Sequence, residues 1–139
     1  IPISAIVVRA QAEAEPLFSW RLPARAVMSV AGPDTEIVFE APREYQLVAG
    51  LAFYTGRRVT LLDPPGFVPP EYLAPAMDGM FLSREEFGRR WEAGAPLVLV
   101  SNPLLRREDP AEIAPGAHRV LGRFGDRWVL APAAASARR

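Results

Sequence analysis

At 139 residues, half of them hydrophobic and 23% charged, the chain is long enough to bury a real core and is expected to be one globular domain rather than disordered. Sixteen basic residues balance sixteen acidic ones, which leaves no electrostatic footprint for nucleic acid. Cysteine is absent, which excludes a disulfide framework and thiolate chemistry, and every basic residue is arginine, which excludes a Walker lysine.

The chain opens on Ile1 to Val8, an apolar run closed by Arg9, which reads either as a short edge strand or as the truncated end of a membrane helix. No run approaches the roughly 20 apolar residues a helix needs to cross a bilayer. Gln11 to Glu15 is a polar, alanine-rich stalk ended by Pro16, and residues 1–22 together form a membrane-proximal segment. Trp20 sits where an interfacial anchor would, although packing against its own domain is the simpler role. The soluble domain spans residues 23–131. Pro23 to Ala31 is expected to be a short helix with Val27, Met28 and Val30 on its apolar side, and Gly32-Pro33-Asp34 ends it. Thr35 to Phe39 is the first strand. Pro42 suits the first turn of a helix, and Leu47, Val48, Leu51 and Tyr54 fall on one helical face. Ala49, Ala52 and Phe53 widen that face, so the helix is expected to be covered on most sides. Gly56 is its left-handed stop, and Val59 to Leu62 is the next strand. Strand, helix and strand at this length form a βαβ unit with parallel strands.

Asp63-Pro64-Pro65-Gly66 is a turn, and Phe67 to Met80 is too interrupted by proline for a regular element. It reads as a long loop whose apolar residues lie over the sheet as core cover or as a substrate lid. Ser83-Arg84-Glu85-Glu86 is a capping box that starts a helix with Phe87 and Trp91 facing the core, and Gly94 stops it. Leu97 to Val100 is a continuous apolar run, the mark of a central strand buried on both faces. Asp109-Pro110-Ala111-Glu112 repeats the capping logic over little more than one turn. His118 to Leu121 and Trp128 to Leu130 then form an antiparallel hairpin about Phe124-Gly125-Asp126-Arg127, and residues 132–139 are a flexible tail. The whole is expected to be α/β: a small three-layer Rossmann-like domain, its sheet mostly parallel, with a C-terminal antiparallel hairpin.

Two stretches carry a family resemblance. Glu44-Tyr45-Gln46 through Ala52-Phe53-Tyr54-Thr55-Gly56-Arg57-Arg58-Val59-Thr60-Leu61-Leu62 resembles the extracytoplasmic C-terminal domain of bacterial polyprenyl-phosphate-sugar-dependent glycosyltransferases. That family includes the aminoarabinose transferases acting on lipid A and is related to the protein O-mannosyltransferases. Phe81-Leu82-Ser83-Arg84-Glu85-Glu86-Phe87, with Trp91 and the strand Pro96 to Val100, resembles the same domain's next helix and strand. The resemblance implies a soluble accessory domain on the periplasmic face of the inner membrane, following the last transmembrane helix and without catalysis of its own. The acidic catalytic residues of such families belong to loops of the membrane portion. Its implied partners are the transmembrane part of the same polypeptide, a polyprenyl-phosphate sugar and a lipid or protein acceptor. The alternative is an independent small-molecule-binding or structural interaction module.

Candidate binding residues follow from the strand ends, because ligands of open α/β sheets bind beyond the carboxyl ends of the strands. Those ends are Glu40, Asp63, and Ser101 with Asn102. Asp63 and Ser101-Asn102-Pro103 read equally as turn initiators. Arg57 and Arg58 could clamp a phosphate, but they follow a helix carboxyl end whose dipole repels anions, so a helix-capping pair is the competing reading. Glu44 and Tyr45, at the other end of that helix, match family positions without a catalytic role to carry over. No catalytic residue, cofactor or metal is assigned. His118 is the lone histidine and would need carboxylates alone beside it to hold zinc, and no Gly-x-Ser-x-Gly or Gly-x-Gly-x-x-Gly motif is present.

Overall fold

The computed structural model describes residues 19–41, 48–62 and 79–133. The expectations for Ile1 to Val8, the stalk, the helix start at Pro42, Glu44, Tyr45, Asp63, the proline-rich loop before Gly79 and the tail from residue 134 fall outside the described residues. In chain order the elements are α1 (Arg21–Met28), β1 (Glu36–Glu40), α2 (Val48–Thr55), β2 (Val59–Leu62), β3 (Phe81–Leu82), α3 (Arg84–Glu92), β4 (Leu97–Val100), β5 (His118–Phe124) and β6 (Arg127–Pro132), with short 3-10 turns at Pro103–Leu105 and Pro110–Glu112.

The strands form one six-stranded sheet in the order β3-β2-β1-β4-β6-β5. β1 runs parallel to β2 and to β4, with Ile37 opposite Val59 and Val98, and β3 adds a parallel pair to β2. β6 lies antiparallel to β4, and β5 pairs antiparallel with β6 at the edge. The expected mostly parallel sheet with a closing hairpin is what the chain forms.

Strand alternation divides the core into two layers. Ile37, Phe39, Val59, Leu61, Val98, Val100 and Val129 meet Trp20, Ala24, Val27 and Leu51 of the α1 and α2 side. Val38, Leu62, Leu97, Leu99 and Leu130 meet Phe87 and Trp91 of α3 on the opposite face, together with Ile113 and Ala114. Both faces of β1, β2 and β4 are therefore covered, which is why β4 reads as an unbroken apolar run and β1 and β2 are apolar at most positions. Each fully buried aliphatic or aromatic side chain contributes about 1.5–3 kcal/mol over leaving it in water.

Several expectations are corrected. α1 begins at Arg21, with Pro23 inside its first turn, where a missing N–H costs nothing. Its buried side is Pro23, Ala24 and Val27, whereas Met28 and Val30 are exposed. α2 buries Leu51 and Thr55, but Phe53 is 80% and Tyr54 50% exposed, so the helix is open on its outer side. Ser83 caps α3 by accepting from the Glu86 N–H at 3.1 Å, but the Glu86 carboxylate turns to Arg89 instead of completing the box. The turn at Asp109 is a single 3-10 turn, and the hairpin strands reach Phe124 and Pro132, leaving a two-residue Gly125-Asp126 connection. β3 is an element the sequence pattern does not announce: two residues, Phe81 and Leu82, immediately before the cap of α3.

Candidate functional site

The order β3-β2-β1-β4 places a topological switch point between β1 and β4. From β1 the chain winds outward through α2 to β2, then returns over the other face through α3 to β4. Beyond the carboxyl ends of these two strands neighbouring connections part, and open α/β sheets hold their ligands there. β1 ends in Glu40, whose side chain falls on the α3 side by alternation with Val38 and is completely buried.

A buried carboxylate must be paired or it neutralises. The Arg107 guanidinium donates to Glu40 Oε1 at 2.9 Å, and Arg84, at the start of α3, stands 3.7 Å from the same oxygen. Glu40 Oε2 accepts the Asn102 backbone N–H at 3.4 Å. Arg107 is fixed in turn: its second terminal nitrogen donates to the Glu112 carbonyl at 2.9 Å, and its own carbonyl accepts from Trp128 Nε1 at 2.9 Å. Asn102 Oδ1 accepts the Leu104 N–H at 2.9 Å, which starts the 3-10 turn, and Ser101 Oγ accepts the Trp128 N–H at 2.8 Å. The Asn102 side-chain Nδ2 is buried without a hydrogen-bond partner among the described residues. Arg107 also stands 3.9 Å from the Glu112 carboxylate, so two guanidinium groups face two carboxylates and the cluster is balanced in charge, with Arg84, about half exposed, at its surface. Such an arrangement presents Arg84 and Glu112 at the surface as hydrogen-bonding groups for a polar ligand. It does not offer Glu40 as a base, because no solvent reaches it.

Beside this cluster, Arg127 at the head of β6 is buried with its guanidinium 4.5 Å from the centre of the Trp20 ring, and Trp20 meets Phe39 edge-on. Burial lowers the Arg127 pKa, partly offset by Asp126. Trp20 is thus committed to its own domain and is not an interfacial anchor.

The residues singled out from the sequence fall at two ends of the sheet. Ser101 and Asn102 join Glu40 at the switch point. Arg57 and Arg58 lie at the amino ends of the strands, bordering a cleft of about 420 Å³ with Pro33, Asp34, Thr35, Glu36, Thr60 and Gly79. Arg57 does not cap its own helix: its guanidinium donates to the carbonyls of Gly32 at 2.9 Å, Pro33 at 3.1 Å and Thr35, bracing the α1–β1 loop. His118, paired with Pro132 at the far end of β6, is also at the amino end of the sheet. Among the described residues no group of three or more histidine, aspartate or glutamate side chains could hold a metal ion. Arg107 and Arg84 are the site residues that sequence reasoning missed. The available signal was Glu40 itself, a carboxylate following the apolar run Ile37 to Phe39, which demands a cation without saying which.

Fold and switch point together define an open, doubly wound α/β domain with an ion-paired cluster at the carboxyl end of its sheet. The chain is similar in structure to ArnT from Cupriavidus metallidurans in its apo crystal structure, with a TM-score of 0.58 at 18% sequence identity. The likeness covers 86% of this chain and 21% of that one, so the chain spans about a fifth of the length of that protein. No family model and no curated protein matches the chain.

Proposed function

We propose that the chain is an extracytoplasmic accessory domain of an ArnT-like membrane glycosyltransferase, periplasmic in placement. Its parent would move a sugar from a polyprenyl phosphate carrier to a lipid or protein acceptor, lipid A being the acceptor class of the aminoarabinose transferases. The observation that carries this reading is the shared fold across 86% of the chain with a protein of which it spans only a fifth. The geometry supports an accessory role: Glu40, the carboxylate that ends β1 at the switch point, is buried and paired with Arg107. The domain then covers the catalytic cavity or helps select the acceptor, while the acids of sugar transfer belong to the membrane portion. Among the described residues no helix is long and apolar enough to cross a membrane.

The test is the topology of the full-length gene product, read with a reporter fused after Arg139. An extracytoplasmic signal downstream of several apolar spans is the expected result. A cytoplasmic signal removes the reading and leaves the alternative, an independent small-molecule-binding or structural interaction module, with the switch point around Arg84, Arg107 and Asn102 as the first place to look for a ligand.

A further inference from the structure

The outer side of the α1 and α2 layer carries several large exposed apolar side chains. Leu22, Met28, Phe53 and Tyr54 are exposed there, and Phe53 and Tyr54 stack edge to face at 5.3 Å instead of packing inward. Arg21, Arg25, Met28 and Tyr54, with Ala24 between them, line a notch of about 290 Å³. Over its described residues neither helix contains a carboxylate, and among the described residues the ion pairs do not include Arg21 or Arg25. A patch that is both apolar and cationic calls for an occupant that is both apolar and anionic.

We infer that this face docks on an anionic phospholipid surface, with Arg21 and Arg25 around a headgroup phosphate and Phe53, Tyr54, Met28 and Leu22 against the acyl boundary. The inference rests on the surface alone and does not require the transferase reading. A bilayer fits better than a protein partner because the two arginines, one turn apart on α1, flank a notch of headgroup size, and aromatic and aliphatic side chains next to arginine are the composition of interfacial helices. Each arginine held near an anionic surface adds an increment that salt screens.

The experiment is vesicle flotation of the 139-residue chain with phosphatidylcholine alone and with an equimolar phosphatidylcholine–phosphatidylglycerol mixture. The chain should float with the mixed vesicles and weakly or not at all with phosphatidylcholine. R21Q/R25Q should weaken the partitioning roughly 30-fold, and high salt should mimic it. F53S/Y54S should weaken it comparably, and both double variants should keep the parent's melting temperature, since the altered groups are exposed. Undiminished flotation of either variant overturns the proposal, as does equal binding to both vesicle types. Concentration-dependent dimerisation that F53S/Y54S abolishes, without flotation, assigns the face to a second copy of the chain and overturns it as well.

Discussion

Arg107 donates a 2.9 Å hydrogen bond to Glu40, across 67 residues of chain, and so ties the loop after β4 to the end of the central strand. The carboxylate is wholly buried while the arginine is partly open to solvent, so the pair is asymmetric: losing the arginine leaves the buried charge only Arg84 at 3.7 Å and the Asn102 N–H, and losing the carboxylate frees a cation that can turn to water. Arg107→Ala should therefore destabilise the chain by about 3–5 kcal/mol and Glu40→Gln by less. Replacing both with leucine should recover much of the loss, though not all, because Arg107 also holds the Glu112 carbonyl. Chemical denaturation of the four proteins checks this, and equal losses for Arg107→Ala and Glu40→Gln would argue against a buried, one-sided pair.

How much of this was legible in the sequence depends on the range of the interaction. β1, β2, β4, the C-terminal hairpin and the cap of α3 follow from local periodicity and turn chemistry, because strand alternation and an N-cap serine are written within a few residues. β3 is too short to have a period. The openness of α2 at Phe53 and Tyr54 was illegible for another reason: apolar composition states what a helix would like to bury, not whether anything in the chain is there to cover it. At the site, Ser101 and Asn102 were readable as a strand end, but Glu40's partners were not, since charge pairing over 44 and 67 residues leaves no local trace.

Arg57 supplies a second test. Its guanidinium is already spread over the carbonyls of Gly32, Pro33 and Thr35, so it braces the α1–β1 loop and has little left for a phosphate. Arg57→Ala should cost about 2 kcal/mol, and Arg57→Lys should recover less than half, because an ammonium cannot reproduce the planar fork. Inorganic phosphate should leave the melting temperature unchanged. A phosphate-dependent rise seen in the parent and lost in Arg57→Lys would return this residue to the binding candidates.

The cap of α3 separates two contributions that the sequence pattern joins. Ser83→Ala should lower stability by about 1 kcal/mol through loss of the bond to the Glu86 N–H. Glu86→Ala should change it by less than about 0.5 kcal/mol, because its carboxylate makes only an exposed pair with Arg89. Comparable losses from both, by thermal or urea unfolding, would show that the reciprocal box forms in solution.

Gly50 offers the sharpest contest between local and tertiary preference. In the middle of α2, glycine is about 1 kcal/mol worse than alanine by intrinsic propensity, so Gly50→Ala should stabilise an isolated helix. Here a methyl group at that position would run into the Trp20 indole, 2.7 Å from Cγ and 2.8 Å from Nε1. Trp20 cannot simply swing aside: it is buried, meets Phe39 edge-on at 5.5 Å and lies under the Arg127 guanidinium. Overpacking of a held side chain costs about 1–3 kcal/mol, which exceeds the propensity gain, so Gly50→Ala should destabilise the chain on balance. Trp20→Leu alone should also destabilise it by removing ring contacts. In the Trp20→Leu background, however, the smaller side chain leaves room for the methyl, and Gly50→Ala should become neutral or stabilising. A double-mutant cycle by urea denaturation reads that change of sign directly. Additive losses would mean that α1 and α2 do not approach each other through Gly50, and that the glycine is there for some reason other than the tryptophan.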